Sequence, residues 1–95
     1  MTAYKQPVEE IPLAVDFEDL FPAGQTLQVG SDVQVFDSEG NDVTASMFVS
    51  KTVGTLRIDS IIQGGEDGMT YKVNFTGKSQ NYKFVEPYDL VVREL

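Results

Sequence analysis

The hexapeptide DSEGND sets oxygen-bearing side chains at alternate positions, Asp37, Glu39 and Asn41, the spacing with which a loop wraps a calcium ion. An EF-hand loop begun at Asp37 would need glycine at its sixth position and glutamate at its twelfth, where this chain has Asp42 and Phe48. The stretch reads as a hairpin turn, rich in residues that bond their own backbone. The adjacent acids Glu9 and Glu10, Glu18 and Asp19, and Glu66 and Asp67 have the functional groups for acid-base work. Side by side in polar loops, they lack the burial that separates two carboxyl pKa values, and they read as solvated. Asn74, Phe75 and Thr76 match the acceptor pattern for N-glycosylation and read as ordinary strand residues. GGEDG is followed by no Gly-Lys-Ser/Thr and is no phosphate loop.

The chain contains no histidine and no cysteine. The commonest general base, the thiolate nucleophile and the commonest transition-metal ligands are therefore missing, and disulfides are ruled out. The expectation is a protein that is not an enzyme, with no cofactor and no metal. Nine acids precede residue 51 against Lys5 alone, whereas from Lys51 onward six acids meet six bases, so the net charge of −8 belongs to the first half. Phosphate recognition needs clustered Lys and Arg, so nucleic acid is not an expected partner. The acids keep the chain in solution or face a basic partner. No apolar run reaches the roughly 20 residues of a membrane span, and MTAYKQPVEEIP has no signal-peptide form. The expectation is synthesis in the cytoplasm without processing, and no membrane partner.

Ninety-five residues make one domain. Residues 1–12 carry Pro7 and Pro12 and few apolar side chains, which reads as an extended N-terminal arm that gains order from a partner. Residues 13–95 read as the domain. Leu13, Val15 and Phe17 alternate as a strand, and residues 18–21 allow one helical turn before Pro22. Further runs fall at 26–29, at 32–37 with Val33 and Val35 on one face, at 47–53, and at 55–62 with Leu56, Ile58 and Ile62 together. Tyr71, Val73 and Phe75 alternate with Lys72 and Asn74, and a last run spans 82–94 with Tyr88, Leu90 and Val92 on one side. Pro87 within it cannot donate to a ladder and so marks an edge, a bulge or a bend. About seven short strands with frequent turns and no sustained helical period predict an all-β antiparallel sandwich.

Gly64, Gly65 and Gly68 lie just before Tyr71. In Greek-key sandwiches a tyrosine there packs at the crossover between sheets while its hydroxyl bonds backbone a few residues upstream. Residues 64–70 are the expected corner and Tyr71 its lock.

The passage TLRIDSIIQGGEDGMTYKVNF resembles the late strands of immunoglobulin-like and fibronectin type III modules. The chain as a whole is similar to small structural proteins of tailed bacteriophages, of the fiber-tail adaptor, neck or tail component type. PVEEIPLAVDFEDLFPAGQTL matches their acidic proline-containing opening, residues 64–71 their Gly-Gly-x-x-Gly-x-x-Tyr passage, and DLVVREL their closing strand. NYKFVEPY departs from the pattern, with aromatics and a proline where an uninterrupted strand is expected. The resemblance implies a virion protein, made in the host cytoplasm and present in multiple copies, that contacts other phage structural proteins. Residues placed for such contacts are Tyr4, Pro7, Val8, Glu9, Glu10 and Ile11 in the arm, with Pro87 and the outward Val91 on the last strand. Other roles open to such a domain are capsid decoration and binding of a carbohydrate or receptor. The chain has no tryptophan for a sugar platform, and its one aromatic group, Tyr82, Phe84 and Tyr88, is spaced to face inward.

Overall fold

A computed structural model describes residues 1–94; Leu95, the last residue of the expected domain, lies outside the described residues. The strands are β1 (Thr2–Lys5), β2 (Ile11–Asp16), β3 (Asp32–Phe36), β4 (Phe48–Val53), β5 (Arg57–Ile62), β6 (Thr70–Lys78) and β7 (Lys83–Val92). One short helix, α1 (Thr44–Met47), precedes β4. The strands form a four-stranded sheet in the order β1-β7-β6-β3 and a three-stranded sheet in the order β2-β5-β4. The chain is an all-β sandwich.

Alternation decides which side of each strand meets the core. Tyr71, Val73 and Phe75 of β6 are buried, as are Val33 and Val35 of β3, Ile58 and Ile62 of β5, Leu13 and Val15 of β2, and Leu90 and Val92 of β7. Their polar neighbours point outward, as a period of two requires. Phe17, just past β2, lies fully buried between the sheets and stacks on Phe21 at 5.8 Å, and Phe21 meets Phe84 at 5.4 Å. The Phe17 ring occupies the space above Gly77, where a Cβ would come within 2.7 Å of it.

Several expectations are corrected. Residues 1–12 are extended, but they are not an arm outside the domain: β1 pairs with β7 in parallel, and β2 already begins at Ile11. The few apolar side chains of this segment are supplemented by backbone bonds from Asp89 N–H to Met1 O (2.8 Å) and from Arg93 N–H to Lys5 O (3.0 Å). The sandwich is therefore antiparallel except for this pair. Residues 26–29 form no strand; Leu27 N–H bonds Thr55 O and Gln28 N–H bonds Lys78 O, each at 2.8 Å, so the segment ties the β4–β5 turn to the end of β6 instead. Its alternation fails at Val29, which is 98% exposed. DSEGND is the tight turn expected, with the Gly40 N–H on Asp37 O (3.1 Å) and the Asp37 N–H on Asn41 O (2.9 Å), but no full strand follows to complete a hairpin. After one antiparallel bridge, Phe36 to Asp42, the chain enters α1, buries Met47 and crosses to the other sheet. Met47 thus ends a helix, and β4 starts one residue later than expected.

Candidate functional site

The corner is built as its residue types dictate. Tyr71 is buried, and its hydroxyl accepts the Glu66 N–H at 3.0 Å. Gly65 has φ +91°, and a Cβ there would stand 2.8 Å from Val92 Cγ2 and 3.2 Å from Tyr71 Cε2. Only glycine satisfies both the left-handed backbone and the close approach. Gly68, at φ +84°, meets nothing within 4 Å and serves the turn alone, its N–H bonding Val92 O at 2.8 Å. Gly64 contributes its carbonyl to Lys5.

Lys5 escaped the sequence reading. It is 3% exposed, and its ammonium donates to the carbonyls of Gln6 (2.6 Å), Pro7 (3.3 Å) and Gly64. Burial pushes its pKa below the usual 10.5, opposed by the nearby Glu9 carboxylate. The signal was the alternation of Ala3 and Lys5, which puts both on the inner face; a lysine there passes for a solvated terminus until its acceptors are known. Tyr88 was missed in a similar way, because its hydroxyl crosses between the sheets to Ala14 O at 2.7 Å.

The residues expected to meet partners separate into three groups. Ile11 is half-buried and packed on the core, so its role is structural rather than contact. Pro7, Val8, Glu9 and Glu10 form the loop from β1 to β2. There Val8 is 93% exposed, Glu10 is exposed, and the Glu9 carboxylate turns back to accept the Gln6 N–H at 2.5 Å. Tyr4, Pro87 and Val91 share the outer face of the four-stranded sheet. Tyr4 stands beside Val91 in register, 61% exposed, with the Arg93 guanidinium 5.2 Å from its ring. Val85, half exposed, continues that face along β7 past Pro87.

Pro87 proves to mark an edge. The β6–β7 register runs through Asn74 and Pro87 without a shift. The N–H groups of Asp89 and Arg93 point at β1. By alternation the Pro87 nitrogen faces the same way, beyond the end of β1, where no ladder bond is lost.

Among the described residues no cluster of three or more acidic groups is placed to hold a metal ion. In DSEGND the Asp37 carboxylate accepts the N–H groups of Glu39 (2.9 Å) and Asn41 (2.8 Å), and these bonds, Asn41 first, hold its pKa below the usual carboxylate value. Of the aromatic group, Phe84 packs on Phe21 and Tyr88 spends its hydroxyl on Ala14, which leaves Tyr82 stacked on Phe84 at 6.2 Å as the one exposed ring. No helix among the described residues is long and apolar enough to cross a membrane. No family model matches the chain, and no curated protein matches it in sequence.

Proposed function

We propose that this chain is an immunoglobulin-like structural protein of a tailed-phage virion, an adaptor that joins neck, tail or fiber components. The observation that carries the immunoglobulin-like type is the strand order β1-β7-β6-β3 over β2-β5-β4, with the tyrosine corner at Tyr71 leading into β6. The virion role rests on the resemblance of residues 7–27, 64–71 and 89–95 to phage structural proteins, since fold alone does not assign function. An exposed outer face of the four-stranded sheet supports the reading. Tyr4, Val85, Pro87 and Val91 line one outer face, and an exposed tyrosine beside an arginine is the kind of pair that anchors protein interfaces. The acidic first half suits a basic neighbour in the particle.

Mass spectrometry of purified particles tests the reading. The chain should be present at a fixed copy number, and Tyr4→Ser should reduce its incorporation while its melting temperature stays within a few degrees. A chain absent from particles, or incorporated equally with Tyr4→Ser, would overturn the role or the surface respectively.

A further inference from the structure

Each sheet of a sandwich ends in strands whose outward N–H and C=O groups lack a neighbour, so every edge poses the question of what covers it. Three of the four edges are short or partly covered. On β2 the outward positions are Pro12, which has no N–H, Ala14, whose carbonyl takes the Tyr88 hydroxyl, and Asp16, whose carboxylate turns to the Glu18 N–H. On β3 the Val35 N–H donates to Thr44 Oγ1 (2.9 Å), Val35 O accepts the Val43 N–H (2.9 Å), and the Val33 N–H donates to Asp32 Oδ1 (2.8 Å). The β1 edge is four residues long and turns only Thr2 and Tyr4 outward before the chain bends away at the Gln6 to Glu9 bond, beside the acids Glu9 and Glu10.

The fourth edge is β4. Gly54 N–H bonds Arg57 O (2.8 Å), so alternation aims Thr52 at β5 and aims the N–H and C=O groups of Lys51 and Val53 outward. Among the described residues no hydrogen bond covers those outward groups. The usual guards of an edge are present but displaced. The bulge lies between Phe48 and Ser50, before the regular stretch. The Lys51 ammonium is drawn back to Asp32 Oδ1 (2.8 Å) and Ser31 O (3.1 Å) rather than projecting from the edge. Beside it runs a groove lined by Leu27, Val29, Lys51 and Val53.

We propose that two copies of this chain pair through β4, antiparallel about a two-fold axis at Thr52. Charge selects this surface for self-pairing. The chain carries −8 overall, yet around β4 each charge is already matched, Lys51 with Asp32 at 2.8 Å and Arg57 with Asp59 at 3.1 Å, and the groove itself contains no acid. Two chains that repel elsewhere can meet here. Register follows from the outward groups: Lys51 of one copy exchanges bonds with Val53 of the other, and Thr52 faces Thr52 as a non-hydrogen-bonded pair. A two-fold axis at Lys51 would instead set two lysines directly opposite, which is unfavourable. The two three-stranded sheets become one of six strands. The inference is independent of the virion role, since it needs only the open edge.

The absence of native cysteine makes the test direct. Facing residues of a non-hydrogen-bonded pair have Cα atoms about 4.5 Å apart, within the range a disulfide bridges. Thr52→Cys should therefore oxidise to a covalent dimer at dilute concentration, whereas Ser38→Cys, in the exposed turn after β3, should remain monomeric. By sedimentation velocity the unmodified chain should dimerise increasingly as salt rises, because screening relieves the mutual repulsion of two acidic molecules. Thr52→Lys, which sets like charges opposite, should remain a monomer with its melting temperature within a few degrees of the parent. Equal cross-linking from both cysteine variants, dimers that survive Thr52→Lys, or a monomer up to millimolar concentration at high salt would each overturn the proposal, the last leaving the edge for a strand from another protein.

Discussion

Replacing Gly65 by alanine separates two demands that the corner makes on one residue. At φ +91° any L side chain is strained, at about 1 to 2 kcal/mol for a left-handed backbone. The new Cβ would also stand 2.8 Å from Val92 Cγ2 and 3.2 Å from Met47 Cε and Tyr71 Cε2. Met47 ends in a flexible thioether that can move, but Val92 is fully buried and Tyr71 is held by its hydroxyl. Forcing a methyl into such a place costs a further amount of about 1 to 3 kcal/mol. Gly65→Ala should therefore destabilise by about 2 to 5 kcal/mol, with the melting point falling about 4 to 8 °C for each kcal/mol in a domain of this size.

Two further glycines supply the controls. Gly68→Ala meets only the backbone demand, at φ +84° with nothing within 4 Å, and should cost about 1 to 2 kcal/mol. Gly77→Ala meets only the steric one, against a Phe17 ring at 2.7 Å, and should cost about 1 to 3 kcal/mol. Urea unfolding of the three variants, analysed with a common slope, gives the comparison. If Gly65→Ala costs no more than Gly68→Ala, the close approach to Val92 does not exist and the packing of the corner is misassigned. A cycle with Val92→Ala sharpens the point, because removing the obstructing methyl should return part of the loss as a favourable coupling.

Tyr71→Phe should destabilise by about 1 to 3 kcal/mol in the same assay, since it leaves the Glu66 N–H without its acceptor; a change indistinguishable from zero would remove the tyrosine lock from the account. Lys5→Met should cost about 1 to 3 kcal/mol by stripping a shared donor from three carbonyls, and deleting residues 1–5 should cost at least as much. Stability that survives both changes would return the segment to the status of an arm. In acid, Asp32, held low chiefly by the Lys51 hydrogen bond, and Asp89, held low by Lys72, have folded pKa values below the usual 3.8. Depressed folded values contribute stability that is present above the unfolded value and lost as pH falls through the folded one. The melting temperature should therefore decline below about pH 4, with Asp32→Asn flattening part of the decline.

The strands were legible where one apolar side chain in two was enough to bury a face. Residues 71–75, 33–35 and 58–62 needed nothing beyond their own alternation, and the tyrosine lock followed from glycines placed before a buried aromatic. What escaped depended on partners distant in sequence. Residues 2–5 look too polar to order themselves because their stabilisation comes from the edge of β7, some 87 positions later in register, and from the Gly64 carbonyl. Residues 26–29 alternate on paper, yet their N–H groups bond the β4–β5 turn at Thr55 and the end of β6 at Lys78, so they line up along neither sheet. Helix α1 is a single turn without a side-chain cap, too short to show a helical period. Of the expected contact residues, Tyr4, Pro87 and Val91 came together because parallel pairing sets β1 beside β7, whereas Ile11 was drawn into the core by its place at the start of β2.

These long-range bonds converge at one end of the molecule. Lys5 joins Gly64, the Arg93 N–H returns to Lys5, the Gly68 N–H bonds Val92, the Val92 N–H bonds Met69, and Tyr71 closes the turn on Glu66. The start of the chain, its crossover and its last strand therefore open together or not at all. Amides of Gly68, Val92 and Arg93 should exchange with solvent only through global unfolding, and their exchange rates should rise as overall stability falls across the glycine variants. The amides of Lys51 and Val53 face outward from β4 with no acceptor among the described residues, so in dilute protein they should exchange without any opening. Raising the concentration should slow those two while leaving Gly68, Val92 and Arg93 unchanged, because edge pairing supplies acceptors only to β4. Strong protection of Lys51 and Val53 in dilute protein would mean that the edge is already covered within one chain, and the assignment of β4 as the open edge would fail.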